Sequence, residues 1–288
     1  MKRSGKRNFK FFENFSHYVP GVADIFILLA FLLLGVLLAQ IPSALVMLWP
    51  DIDMSIIMFV SYPIMFIPAM IYASLKSKGN CFDEASVPMD RSNFSPVGGV
   101  WCVLLTLIAT LSLSFACDAF GFVLPEPPQW FKAAMESITS DGNILLNFIS
   151  VSIFAPLFEE WLCRGMVLRG LLANRVKPVW AIVFSALFFA FIHLNPWQAL
   201  PAFTIGCLMG YIYYRTGSLK LTMLIHFTNN TVSLALSNVD ALKEMESWCD
   251  IIPAPLYWVL VAACVMLVVL ITRKFGKVSP MEWTGYNR

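Results

Sequence analysis

Between Val22 and Leu48 the chain runs for 27 residues with a single charged side chain, Asp24. A helix needs about 20 mainly apolar residues to cross the hydrocarbon core of a bilayer. Seven more apolar stretches follow, at about 56–72, 100–122, 143–172, 179–194, 197–214, 218–236 and 254–271. Inside lipid every backbone amide must find its partner within the protein, which leaves helices or closed barrels, and runs this long read as helices. The expected fold class is all-α, a polytopic membrane helix bundle of about eight transmembrane helices. Composition agrees, at 58% hydrophobic and 13% charged with a mean hydropathy of +0.71. A soluble domain carries about 25% charged residues.

Breaks between the stretches are marked by Trp49-Pro50-Asp51, by Pro125, Pro127 and Pro128, by Asn174 to Pro178, by Asn195-Pro196 and by Arg215-Thr216-Gly217. No loop is long enough to fold alone, so residues 1–288 read as a single membrane domain. Residues 1–20 read as a cytoplasmic interfacial lead-in, and Trp130 to Ser137 as a short surface helix. The basic opening Met1 to Arg7 resembles the start of a signal peptide. The apolar run behind it is too long for one and lacks a small-residue cleavage site, so it reads as an uncleaved first span. Placing both termini in the cytoplasm puts every Lys and Arg except Lys132 and Lys243 on or toward that side, out of 20. The expected location is integral to a membrane of bacterial inner (plasma) membrane type.

Against this apolar background the fourth span contains Glu159-Glu160 and, four residues on, Arg164. A charge near the bilayer centre costs about 2.5–3.5 kcal/mol on insertion scales, so such residues are functional candidates by default. The histidines available as partners are His17, His193 and His226. Glu159 and His193 are equidistant from Val176 in the turn between spans four and five, which puts them at one depth in a helical hairpin. His226 lies somewhat nearer the cytoplasm. Glu160 and Arg164 have the i,i+4 spacing of a buried ion pair. That leaves Glu159 without a cation at helical spacing and free for general-base work. Phe189 shares a face with His193, and Thr222, His226 and Asn230 make a polar stripe on an apolar helix.

Two reactions fit this set. Glu159 could deprotonate water with help from His193, while His226 and Asn230 hydrogen-bond the developing oxyanion. Alternatively, His193, His226 and Glu159 could hold zinc or another divalent ion with a position open for water. The chain has no HExxH and no clustered Cys/His run to favour the second.

The order and internal spacing Glu159-Glu160-x3-Arg164, Phe189-x3-His193 and His226-x3-Asn230 resemble the three-motif signature of the CPBP intramembrane protease family. That family includes the type II CaaX prenyl endopeptidases and bacterial relatives tied to bacteriocin processing or self-immunity. The resemblance covers about residues 145–235 and makes 143–236 the expected catalytic core. It implies an eight-helix glutamate-type endopeptidase, often described as a metalloprotease. It further implies Glu159 as base and His193, His226 and Asn230 in the site, with Glu160, Arg164 and Phe189 in support. The expected partners are a peptide or membrane-protein substrate and the bilayer, without nucleic acid. Spans one to three carry no motif.

Other readings compete. A non-catalytic membrane partner, such as a bacteriocin immunity protein, would keep its function without Glu159. A proton- or ion-coupled transporter would be expected to show an inverted repeat, which the sequence lacks. The seven cysteines form no CxxC pair, which argues against a disulfide framework, and Cys163 reads as structural. Gly206 and Gly210 read as close helix packing. The tryptophans near span ends read as interface anchors, and His17 as incidental.

Overall fold

The computed structural model describes residues 11–44, 48–49, 51–82, 86–139, 142–242, 245 and 247–283. The basic opening Met1 to Arg7 and the loop residues Lys243, Glu244 and Glu246 lie outside the described residues. Eleven α-helical segments follow in order among the described residues: α1 (Val22–Ser43), α2 (Met54–Asn80), α3 (Gly99–Cys117), α4 (Gln129–Thr139), α5 (Ile144–Phe148), α6 (Ala155–Glu160), α7 (Arg169–Ala173), α8 (Pro178–Phe191), α9 (Pro196–Thr216), α10 (Leu219–Ser237) and α11 (Ala254–Phe275). The described residues form no strand, so the all-α expectation holds. The chain is an integral membrane protein. Among the described residues, five helical units are long and apolar enough to cross a membrane: Val22–Ser43, Met54–Asn80, Gly99–Phe122, Ile144–Ala173 and Ala254–Phe275. Pro178–Phe191 is apolar but shorter. The described parts of the eight expected stretches are largely helical, but among the described residues five units qualify as spans by length and hydropathy, because α8 is short and α9 and α10 are more polar.

Local chemistry sets the helix ends. Asp53 caps α2, its carboxylate accepting from the Ser55 amide at 2.8 Å. Asn195 caps α9 through the Gln198 amide at 2.8 Å, with Pro196 in the first turn where its missing N–H costs nothing. Gly217 ends α9 at φ +64, a left-handed conformation that suits glycine. Ser218 then caps α10.

α5, α6 and α7 belong to one helical column, Ile144–Ala173, but the column is not regular. Two π-helical stretches, Ile149–Phe154 and Trp161–Leu168, flank α6 and its carboxylates. Every residue from Glu160 to Ala173 is buried. A helix apolar and buried all round belongs at the centre of a bundle, and this one stands between two apolar clusters. One gathers Phe15, Tyr18, α1 and α2 around Trp161 and Leu162. The other joins α3, α8, α9, α10 and the end of α11 around Cys163. Leu, Ile, Val and Phe side chains exposed on α1, α3 and α11 face outward, where lipid would cover them.

The described part of the lead-in packs against the bundle. Phe15 and Tyr18 are in the core, and the buried Arg169 guanidinium donates to the Tyr18 carbonyl at 2.6 Å, the Phe15 carbonyl at 3.3 Å and the Val87 carbonyl. At the opposite end of the bundle, Phe131 of the short helix α4 packs on Trp197 with ring centroids 4.9 Å apart. The Trp197 indole donates to the Pro125 carbonyl at 2.8 Å.

Candidate active site

Glu159 and Glu160 are the last residues of α6, and adjacent residues on a helix point about 100° apart. Glu160 turns inward and is fully buried. Its Oε1 accepts from Arg164 Nη1 at 2.7 Å, so the expected i,i+4 ion pair forms even across the change to π-helical winding. Arg164 is buried as well, and its Nη2 donates to the Gly206 carbonyl of α9 at 3.0 Å. A side chain at 206 would press on this guanidinium and on Ala186, so glycine there serves close approach.

The His226 ring stands between the two carboxylates. Its Nδ1 is 3.2 Å from Glu160 Oε1, and its Nε2 is 4.0 Å from Glu159 Oε2. A carboxylate can only accept when ionised, so the contact with Glu160 assigns the proton to Nδ1 and aims Nε2 at Glu159. The structure thus sets His226, rather than His193, against Glu159.

His193 lies just past the end of α8, half-buried, with Nδ1 2.8 Å from the Phe189 carbonyl. It makes neither a hydrogen bond nor an ion pair with Glu159. Phe189 links the groups instead. Its ring meets His193 edge-on at 4.9 Å and His226 edge-on at 5.4 Å, and the Arg164 guanidinium lies over it at 4.6 Å. The three motifs therefore converge, with Phe189 at their centre.

Asn230 has a structural duty that its spacing did not suggest. Within the π-helical stretch the Ala155 amide bonds the Ser150 carbonyl, five residues back. The next amide in that register would serve Val151, but residue 156 is proline and has no N–H. Asn230 Nδ2 supplies the missing donor, 2.8 Å from the Val151 carbonyl. Its Oδ1 accepts from Asn229 at 3.2 Å, and Asn229 Oδ1 accepts from Ser114 of α3 at 2.7 Å. One N–H of Asn230 remains for other work.

Tyr62 of α2 went unnoticed in the sequence. Its hydroxyl donates to Glu159 Oε1 across 97 positions of chain, so Glu159 is without a cation at helical spacing but not without a partner. A tyrosine in the body of an apolar span was the available signal, and the usual place of tyrosine at membrane interfaces masked it.

The metal-binding alternative finds no ready shell. Among the described residues no three His, Cys, Asp or Glu side chains are grouped to hold an ion. Glu159 and the Nε2 of His226 approach each other, but His193 is turned to Phe189, so the set His193, His226 and Glu159 does not fit a three-ligand site.

Comparison with known proteins points to the same region. Residues 141–232 match the family described as type II CAAX prenyl endopeptidase Rce1-like. An uncharacterised 24.3 kDa protein of Escherichia coli is 28% identical over 118 residues, covering 40% of this chain and 54% of that protein. The chain thus spans little more than half of that relative's length. No solved structure matches.

Proposed function

From an Rce1-like segment at residues 141–232 that supports membership of the CPBP family, we propose that the chain is an intramembrane endopeptidase. It hydrolyses a peptide bond in or near the membrane by water that Glu159 activates. The observation that carries this reading is the state of the Glu159 carboxylate. Oε1 is engaged, while Oε2 is buried, has no hydrogen-bond partner, and faces His226 Nε2 at 4.0 Å. A buried carboxylate oxygen without a donor is costly to keep unless a ligand meets it.

A water held between Oε2 and Nε2 gives its proton to Glu159 as its oxygen attacks the substrate carbonyl. His226 and the second N–H of Asn230 donate to the developing oxyanion. Each such donor contributes about 2.7–4 kcal/mol in known hydrolases. Glu159 then passes the proton to the leaving amine as the C–N bond breaks. Glu160, fixed by Arg164, holds the His226 ring in place. His193, beside Phe189, contacts substrate or water. The protein sits in a bacterial inner membrane with both termini cytoplasmic, and its substrate is a peptide or a membrane protein.

The test compares peptide termini in membrane fractions from cells expressing wild type and Glu159→Ala at matched levels. The reading expects termini present with wild type alone. Identical termini in both would end it.

A further inference from the structure

We propose that Tyr62, outside the segment that carries the three motifs, is a positioning residue that fixes which oxygen of Glu159 meets water. The proposal rests on the role given to Glu159 above. It begins with the face that α2 turns to the carboxylate column. Phe59, Tyr62 and Phe66 fall at i, i+3 and i+7, one stripe of a helix. Phe59 packs on Phe154 with centroids 5.3 Å apart. Phe66 stacks on Phe158 at 5.4 Å and 14°. Tyr62 stacks on Phe66 at 5.9 Å. The stripe is an aromatic ladder holding α2 to the helix that ends in Glu159.

Within that ladder the Tyr62 hydroxyl is the single polar group, and it points at Glu159 Oε1. A phenylalanine would fill the same space and stack equally on Phe66, so packing does not require the hydroxyl. Its effect is on the carboxylate. Glu159 has no basic partner on its own helix, and a free carboxylate on a three-torsion side chain can turn either oxygen to His226. The bond from Tyr62 locks Oε1 to α2 and leaves Oε2 opposite His226 Nε2. Placement within a fraction of an ångström is what separates a productive base from a nearby one. The catalytic unit is thus not residues 141–232 alone; α2 completes it from the other half of the chain.

The experiment uses the full chain in detergent and a quenched fluorescent peptide copied from a Glu159-dependent cleavage site found in membrane fractions. The enzymes compared are wild type, Glu159→Ala, Tyr62→Phe, Tyr62→Met and Tyr257→Phe. Tyr257 is a distant control whose hydroxyl donates to Asp118 at 2.8 Å. The expected result is a tenfold to hundredfold fall in kcat for Tyr62→Phe, about 1.4–2.7 kcal/mol in barrier. KM stays within about twofold, the melting temperature holds, and Tyr257→Phe keeps wild-type kcat. Tyr62→Met, which also lacks a donor but fills space flexibly, should fall alike. Wild-type kcat in a folded Tyr62→Phe overturns the proposal. So does loss of the fold in both Tyr62 variants, or an equal kcat loss in Tyr257→Phe, since either makes the role structural. Absence of any cleavage that Glu159→Ala abolishes overturns the parent reading and this proposal with it. Cleavage lost in Glu159→Ala but kept in Tyr62→Phe overturns this proposal alone.

Discussion

Glu160 and Arg164 face each other at 2.7 Å with no exposed surface on either side chain. A buried pair of this kind contributes little beyond its desolvation cost, but breaking one half leaves an uncompensated charge worth about 3–5 kcal/mol. Arg164→Met should therefore lower the unfolding free energy by about that amount in detergent, while Glu160→Gln/Arg164→Met should regain most of it. Both variants should lose activity, because His226 Nδ1 no longer meets a fixed carboxylate. Thermal or denaturant unfolding of the two variants checks this, and equal stabilities would contradict it.

Pro156 and Asn230 should prove energetically coupled. The proline leaves the Val151 carbonyl without its amide, and Asn230 Nδ2 fills the gap at 2.8 Å. Asn230→Ala should cost about 1–3 kcal/mol, the penalty of an orphaned buried acceptor. In a Pro156→Ala background the new amide can serve Val151, so the same change should cost markedly less. A double-mutant cycle on unfolding free energies measures the difference, with about 0.5–3 kcal/mol of coupling expected. Additive costs would show that Asn230 does not answer the proline.

Gly35 of α1 lies against the Met65 carbonyl of α2, and a Cβ there would run into that backbone. Gly35→Ala should push the α1/α2 hairpin apart and cost about 1–3 kcal/mol, as overpacking does. Because α2 carries Tyr62, activity should fall as well. A melting curve and a cleavage assay on the one variant test both parts, and an unchanged melting curve would contradict the close approach.

Arg169 holds the lead-in by the Phe15 and Tyr18 carbonyls, ties both to Val87 after α2, and carries no carboxylate partner among the described residues. Arg169→Ala should leave Phe15, Tyr18 and Val87 with unmet acceptors and release residues 11–20 from the bundle. Limited proteolysis should then cut that segment early in the variant and late in wild type. Equal cutting rates would place the anchor elsewhere, for instance in the Tyr18–Tyr72 ring contact at 5.8 Å.

Much of this was legible in the sequence because the signals were local. Apolar runs marked the helices, and i,i+4 spacing marked Glu160 with Arg164. Matched distance from a turn put Glu159 and His193 at one depth, with His226 somewhat nearer the cytoplasm. What stayed hidden depended on winding and on distant partners. Nothing in the spacing of Glu159 and His193 showed that α8 ends at Phe191 and turns His193 to its own helix, leaving His226 beside Glu159. The fourth span read as one regular helix, whereas two π-helical stretches frame the carboxylates. Tyr62 is 97 positions from Glu159, a separation no periodicity spans. The three-ligand metal set is plausible by residue type, while among the described residues its side chains are not grouped together.

If Glu159 activates water for peptide hydrolysis, the oxygen of that water ends in the new carboxyl terminus. Purified wild type and Glu159→Gln, reconstituted in lipid nanodiscs, would be incubated with a cleavable peptide in H2¹⁸O and the products weighed by mass spectrometry. Glutamine keeps the shape and can still accept from Tyr62, but it cannot take a proton. One ¹⁸O is expected in the new carboxyl terminus with wild type, and no product with Glu159→Gln. Labelled product at wild-type rate from Glu159→Gln would contradict it.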